Sequence, residues 1–200
     1  MKFAVVAHHS RREQAQRLAA VLGAEIFMDE ESHGSTWNHR RALVWANDQP
    51  DRVIIIEDDA IPVENFINKA ALWLMRFPEH LVSYYLGTSR PPQYQPAVTE
   101  MIKAADKVGR DHILFKRLIH GVCYSVPKKD IPATLERMDM DAAADFSIGD
   151  AWMSVSQKEI CYTIYSLTEH EDGERCEFNR DGVTSRNVRK ARRLSGPTQW

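Results

Sequence analysis

The feature that most constrains the fold of this chain is a run of four β-branched residues, 53–56, that leads directly into three acids, 57–59. Branching at Cβ favours extended backbone. A strand that is apolar on both of its sides suits a parallel sheet with helices on both faces. The sequence therefore predicts a buried central strand whose carboxyl end carries a cluster of negative charge.

Strand and helix patterns alternate on both sides of this run. Apolar segments predict strands at residues 3–7, 25–28, 52–56, 81–86, 121–126 and 161–165. Helical patterns occupy residues 11–22, 37–46, 63–77, 98–107, 129–138 and 147–158. Ser10 is the expected N-cap of the first helix. We therefore expect an α/β fold with a mostly parallel, doubly wound central sheet.

Composition narrows the class of protein. The chain has 200 residues and a formal net charge of −2, so one soluble domain is expected, without a general attraction to nucleic acid. Three widely spaced cysteines argue against a disulfide framework and favour a reducing cytoplasm. We expect no signal peptide and no membrane-spanning segment. The expected domain covers residues 1–175. A flexible segment, 176–200, carries a basic cluster of Arg186, Arg189, Lys190, Arg192 and Arg193.

The three acids are candidate metal ligands. Ligands of open α/β sheets bind at the carboxyl ends of the strands, and adjacent carboxylates repel one another unless a cation or hydrogen bonds stabilise them. Hard carboxylate oxygens suit Mg²⁺ or Mn²⁺, which commonly complete their coordination with substrate phosphates. The alternative is a solvated turn in which Asp59 caps the next helix. The buried strand before the acids favours the metal site.

Other polar residues follow predicted strands or begin predicted helices. A loop at the end of the first strand can offer backbone amides and a guanidinium to a phosphate; it contains Ala7, His8, Ser10 and Arg11. Asp29 follows the second strand and can bind a base or ribose, although a solvated loop acid is the alternative. Asn38 and His39 begin the second helix and could contact the same ligand, although His39 could also pack as an ordinary helix residue. Asp150 is expected at a helix N-terminus, as either a general base or a first-turn acid.

Several short motifs together resemble the GT-A glycosyltransferases, in particular short phage-encoded enzymes and the lipooligosaccharide family. The motifs are residues 37–43, 54–62, 94–97, 120–121, 147–150 and 166–170, and the resemblance covers about residues 1–175. It implies a nucleoside-diphosphate-sugar donor, with UDP favoured, and a bound Mn²⁺ or Mg²⁺. Asp59 and His170 match metal-binding positions, Glu57 and Asp58 match positions that contact metal, ribose or sugar, and Asp150 matches an acid near the acceptor. The run of three acids is not a strict Asp-x-Asp motif.

The sequence is compatible with more than one acceptor. The resemblance to phage enzymes favours DNA that carries a hydroxymethylated base, modified in the cytoplasm of the host, with phosphate contacts from the basic C-terminal cluster. Lipopolysaccharide and protein are the alternatives. A nucleotidyltransferase also uses carboxylate-bound Mg²⁺, but no glycine-rich loop occurs between Ala7 and Glu13. A binding module without turnover is a further alternative. We also expect residues 171–185 to be a segment that a bound donor orders.

Overall fold

A computed structural model describes residues 1–171 and 189–200 of the chain. Its strands are β1 Lys2–His8, β2 Glu25–Asp29, β3 Val53–Glu57, β4 Ala60–Pro62, β5 Val82–Ser83, β6 His112–Phe115, β7 Cys123–Ser125, β8 Ile160–Thr163 and β9 Thr168–His170. Its α-helices are α1 Arg12–Leu22, α2 Ser35–Asp48, α3 Phe66–Arg76, α4 Gln95–Lys107, α5 Ile131–Arg137 and α6 Ala144–Ser156. Short 3-10 helices cover His9–Arg11, Pro92–Tyr94 and Lys128–Asp130. The predicted α/β class is confirmed.

The central sheet has seven strands in the order β2-β1-β3-β7-β5-β8-β6, and it is mixed. β1 is parallel to both β2 and β3, and β5 is parallel to β8. β7 is antiparallel to both β3 and β5, and β6 is antiparallel to β8. Five strands therefore share one direction, while β7 and β6 oppose them. The carboxyl ends of β1, β2 and β3 lie side by side at one edge.

Alternation within the central strands sends side chains into two separate cores. Ile54 and Ile56 of β3 pack in one cluster with Leu18 of α1 and Phe66 of α3. The intervening β3 residues pack in the other cluster, with apolar residues of α2, α4, α5 and α6. Helices therefore cover both faces, as the continuous apolar run predicts.

Several local predictions were wrong. The first α-helix begins at Arg12 and has no side-chain cap. The 3-10 turn before it is capped by His8, whose side chain accepts from the amide of Ser10, so Ser10 is not the N-cap. Of the strand expected at residues 81–86, only Val82–Ser83 form a regular strand. The region after Asp59 forms β4, so Asp59 does not cap the next helix. Three short strands, β4, β6 and β9, were not predicted.

The expectation of a flexible C-terminal tail is wrong for residues 189–200. They run back along the domain and make three isolated β-bridges, Gly87 with Ala191, Ser166 with Leu194 and Val63 with Thr198. We call residues 189–200 the C-terminal strap. Three other predictions concern residues outside those that the structure describes. They are the domain boundary at 175/176, the part of the donor-ordered segment 171–185 beyond Glu171, and the role of Arg186.

Candidate functional site

The acidic run lies at the carboxyl edge of the sheet, beside a two-stranded ribbon. β3 ends at Glu57, and the next two acids lead into β4. β4 pairs antiparallel with β9, with Ala60 opposite His170. The backbone amide of Glu171 donates to the carbonyl of Asp59 at 2.8 Å. This pairing brings together Asp59 and His170, two residues that are more than one hundred positions apart in the sequence.

Three side chains form a candidate metal centre. The ligand atoms of Glu57, Asp59 and His170 all lie within 4.8 Å of one another. His170 Nε2 is 3.4 Å from Asp59 Oδ2, and both side chains are buried. Asp59 Oδ1 is also buried, and it has no hydrogen-bond partner within the described residues. The two carboxylates suit Mn²⁺ or Mg²⁺, whereas imidazole is a ligand typical of Zn²⁺ and other transition metals, so the residues are compatible with the expected ion without selecting it.

Asp58 is not a member of this cluster, and its carboxylate binds other protein groups. Its Oδ2 accepts a hydrogen bond of 2.8 Å from the amide of His8, and its Oδ1 lies 2.6 Å from Arg11 Nη2. Arg11 also reaches Asp59 Oδ2 through Nη1 at 3.0 Å. Burial raises the pKa of Asp58 to about 6, because it outweighs the charge of Arg11. Asp58 therefore joins the end of β1 to the end of β3, and its expected contact with the donor stays a prediction.

Glu57 is held by a buried histidine. His39 Nε2 lies 3.3 Å from Glu57 Oε1, and His39 Nδ1 lies 3.0 Å from the hydroxyl of Tyr124. Burial raises the pKa of Glu57, but the hydrogen bond and charge of His39, with the charge of His170, lower it to about 2. His39 thus orients a candidate metal ligand, as outer residues of metal sites commonly do. Its expected contact with the donor stays a prediction.

Three other predicted donor residues support the surrounding loops. Asp29 accepts hydrogen bonds from the amides of His33 and Gly34 at 3.0 and 2.9 Å, which shapes the loop before α2. Asn38 donates from Nδ2 to the carbonyls of Ala7 and Phe27 at 3.0 and 2.7 Å. Ala7 itself is buried. These three residues therefore fix the ends of β1 and β2.

The corner after β1 is partly exposed. His8 Nδ1 lies 2.9 Å from Ser10 Oγ, and its Nε2 lies 3.1 Å from Ser32 Oγ. Burial, followed by the charge of His9, lowers the pKa of His8. The positively charged guanidinium of Arg11 extends from this corner to the acidic run, where it forms ion pairs with Asp58 and Asp59. The structure therefore brings His8, Ser10 and Arg11 to the same edge as the candidate metal centre.

The prediction that Asp150 begins a helix is wrong. α6 begins at Ala144, so Asp150 lies in the middle of the helix. It is exposed and binds Arg117 through both carboxylate oxygens, with Nε 3.0 Å from Oδ1. The acid in the first turn is Asp145. Asp145 was not predicted as a site residue, although three alanines at 142–144 indicate that the helix starts before Ser147.

Asp145 lies close to Glu57, across Gly121. A Cβ placed on Gly121 would be 3.2 Å from Glu57 Oε1 and 3.8 Å from Asp145 Cβ. Burial, with the charge of Glu57, raises the pKa of Asp145 to about 6. Arg189, in the C-terminal strap, also acts on the site, since its charge lowers the pKa of Glu57. Two residues that sequence reasoning did not place at the site therefore belong to it.

No protein-family model matches the chain, and no curated protein sequence matches it. Among residues 1–171 and 189–200, no helix has both the length and the apolar character needed to cross a membrane.

Proposed function

We propose that this protein is a metal-dependent glycosyltransferase, which moves a sugar from a nucleoside-diphosphate sugar to a hydroxyl acceptor. The observation that carries the proposal is the cluster of half-buried Glu57 with buried Asp59 and His170 at the carboxyl edge of an α/β sheet. Asp59 Oδ1, buried without a partner in the described residues, supports a ligand there. An unpaired carboxylate oxygen inside a protein is costly, so a cation would stabilise it.

Two features support a diphosphate as the group that binds with the ion. A divalent cation supplies positive charge to a departing diphosphate when it is bound. Arg11 adds a fixed guanidinium at the same edge, 3.0 Å from Asp59, and guanidinium groups bind phosphate oxygens well. The turn at His9–Arg11 follows β1 directly, and backbone amides at such a position can receive phosphate oxygens. These groups would bind and orient the donor.

The proposal also includes the identity of the acceptor. Hydroxymethylated DNA in a host cytoplasm follows from the resemblance to phage enzymes, and lipopolysaccharide and protein are alternatives. Two arginines of the basic cluster already bind the domain. Arg193 forms two hydrogen bonds with Asp106, at 2.7 and 2.8 Å, and Arg192 Nη2 lies 2.5 Å from Gln95 Oε1. The strap therefore offers DNA fewer free charges than the sequence predicts, which favours a test of all three acceptors in parallel.

The donor half of the proposal is tested by replacing Asp59. We expect Asp59→Asn to weaken Mn²⁺ binding, and UDP binding in the presence of Mn²⁺, at least 100-fold by calorimetry, because it removes a charged ligand from the centre. Asp48→Asn, an exposed acid at the end of α2, is the matched control and should bind like the wild type. Asp59→Asn that binds Mn²⁺ and UDP normally would refute the site. Turnover should release nucleoside diphosphate, whereas a nucleotidyltransferase would release pyrophosphate.

A further inference from the structure

Gly121 has no side chain, and this leaves a gap beside Glu57. Gly121 precedes β7 by two residues and lies between β3 and α6. A Cβ at this position would be 3.2 Å from Glu57 Oε1, 3.8 Å from His39 Cε1 and 3.8 Å from Asp145 Cβ. Any larger residue would fill the gap between the two carboxylates. Gly121 therefore keeps a narrow gap between Glu57 and Asp145 free of any side chain, so that Asp145 lies close to the candidate metal centre.

Asp145 is suited to accept a proton. It is only partly buried, and no arginine or lysine forms an ion pair with it in the described part of the chain. The amide of Phe146 donates to Asp145 Oδ1 at 2.9 Å, which orients the carboxylate. Asp150 differs in both respects, since it is exposed and both of its oxygens bind Arg117. An acid in such a bidentate pair is a poor base, because its lone pairs are already engaged.

We propose that Asp145 is the general base that removes the proton of the acceptor hydroxyl, and that transfer inverts the anomeric configuration. This inference rests on the proposed function. The acceptor O–H proton passes to an oxygen of Asp145 while the acceptor oxygen bonds to the anomeric carbon. The bond between that carbon and the diphosphate oxygen breaks, and its electron pair leaves with the diphosphate.

Inversion follows from where the groups stand. The leaving diphosphate is assigned to the edge formed by Arg11 and the β4–β9 ribbon. Asp145 comes from α6, a separate element on the Gly121 side of Glu57. A base that activates a nucleophile on the side away from the leaving group serves direct displacement at the anomeric carbon.

Donor hydrolysis tests the inference without knowledge of the acceptor, because water is then the nucleophile and needs the same base. The probes are UDP-glucose and UDP-galactose with Mn²⁺. We expect Asp145→Asn to lower the rate of UDP release about 10²- to 10⁴-fold, with UDP and Mn²⁺ binding within about threefold of wild type. Asp139→Asn, an exposed acid between α5 and α6, is the control and should keep the wild-type rate. Because both donors are α-linked, NMR of the freshly released sugar should show the β-anomer.

A second variant tests the space itself. Gly121→Ala keeps both carboxylates but places a methyl group 3.2 Å from Glu57 Oε1. We expect it to slow hydrolysis and to raise KM for larger acceptors more than it weakens UDP binding.

The outcomes distinguish a failure of this inference from a failure of the proposed function. Wild-type hydrolysis that gives the α-anomer, or a wild-type rate in Asp145→Asn, would overturn this inference and leave the proposed function standing. Loss of hydrolysis in Asp150→Asn, with Asp145→Asn active, would return the role of base to Asp150. A wild-type protein that neither binds nor hydrolyses these donors would overturn the proposed function and this inference together.

Discussion

Replacing Gly149 by alanine should have two opposite effects on the free energy of unfolding, a gain from helix propensity and a loss from steric overlap. Gly149 lies in the middle of α6, and its missing side chain lets the helix approach the segment before β7. A Cβ on Gly149 would be 2.5 Å from Leu118 Cβ, 2.8 Å from Leu118 N and 3.2 Å from Leu118 Cα. Two of these three atoms belong to the backbone, so a change of side-chain rotamer cannot relieve the overlap.

The magnitude can be worked from these contacts. Alanine is favoured over glycine in a helix by about 1 kcal/mol. Overpacking a core costs about 1–3 kcal/mol, and the upper end applies here because carbon atoms pack best at about 3.5–4.0 Å. The Leu118 segment also cannot move freely, since the amide of Ile119 donates to the hydroxyl of Tyr162 at 2.7 Å. We expect a net loss of about 2 kcal/mol in the free energy of unfolding, equivalent to about 4–8 °C in Tm.

Urea and thermal denaturation followed by circular dichroism measure this loss. Gly109→Ala is a useful control, because Gly109 has a φ of +64° with open space around it. It should cost about 1 kcal/mol through backbone strain alone, without touching the site. Gly149→Ala should also weaken donor binding, because Leu118 leads directly to Gly121. A Gly149→Ala variant as stable as the wild type, or more stable, would show that the helix can move away from Leu118 and would refute the argument.

Two further predictions concern charged side chains outside the site. Arg52 donates hydrogen bonds to Ser125 and to the carbonyls of Phe77, Pro78 and His80, so Arg52→Met should lower the free energy of unfolding by about 3 kcal/mol; a loss below 1 kcal/mol in urea would contradict this. The hydrogen bond with Arg76 lowers the pKa of Asp111 from 3.8 to about 2. Its stabilisation is therefore present above pH 4 and is lost between pH 4 and 2. After allowance for solvent screening, Asp111→Asn should cost about 0.5 kcal/mol at pH 7, and urea titrations should show the difference shrinking as pH falls through that window.

The elements that could be predicted from the sequence are those specified by local patterns. β1, β3 and α2 were placed within two residues or less at each end, because continuous apolar runs and helical periodicity depend only on neighbouring residues. β4 and β9 have three residues each, and their sequences carry no strand pattern. What makes them strands is their pairing with each other across the fold, which a local pattern cannot show.

The candidate site, too, could be predicted only in part from the sequence. The prediction that Asp59 and His170 meet came from a resemblance, and the β4–β9 pairing explains it physically. The choice of Asp150 over Asp145 depended on where α6 begins. A start three residues earlier than predicted moves Asp150 from the first turn to the middle of the helix. The ion pair between Asp150 and Arg117 and the gap at Gly121 both depend on tertiary contacts.

The C-terminal strap has a structural role that its basic composition conceals. Glu169 Oε1 accepts hydrogen bonds from the amide of its neighbour His170 at 2.9 Å and from the amide of Ala191 at 2.7 Å. Further along, the amide of Gln199 donates to the carbonyl of Pro62 at 2.9 Å. The strap therefore binds both strands of the ribbon that carries His170. Since a ribbon of two three-residue strands is marginally stable alone, the strap stabilises the geometry of the candidate metal centre. Loss of residues 189–200 should weaken metal binding through His170, whatever the acceptor is.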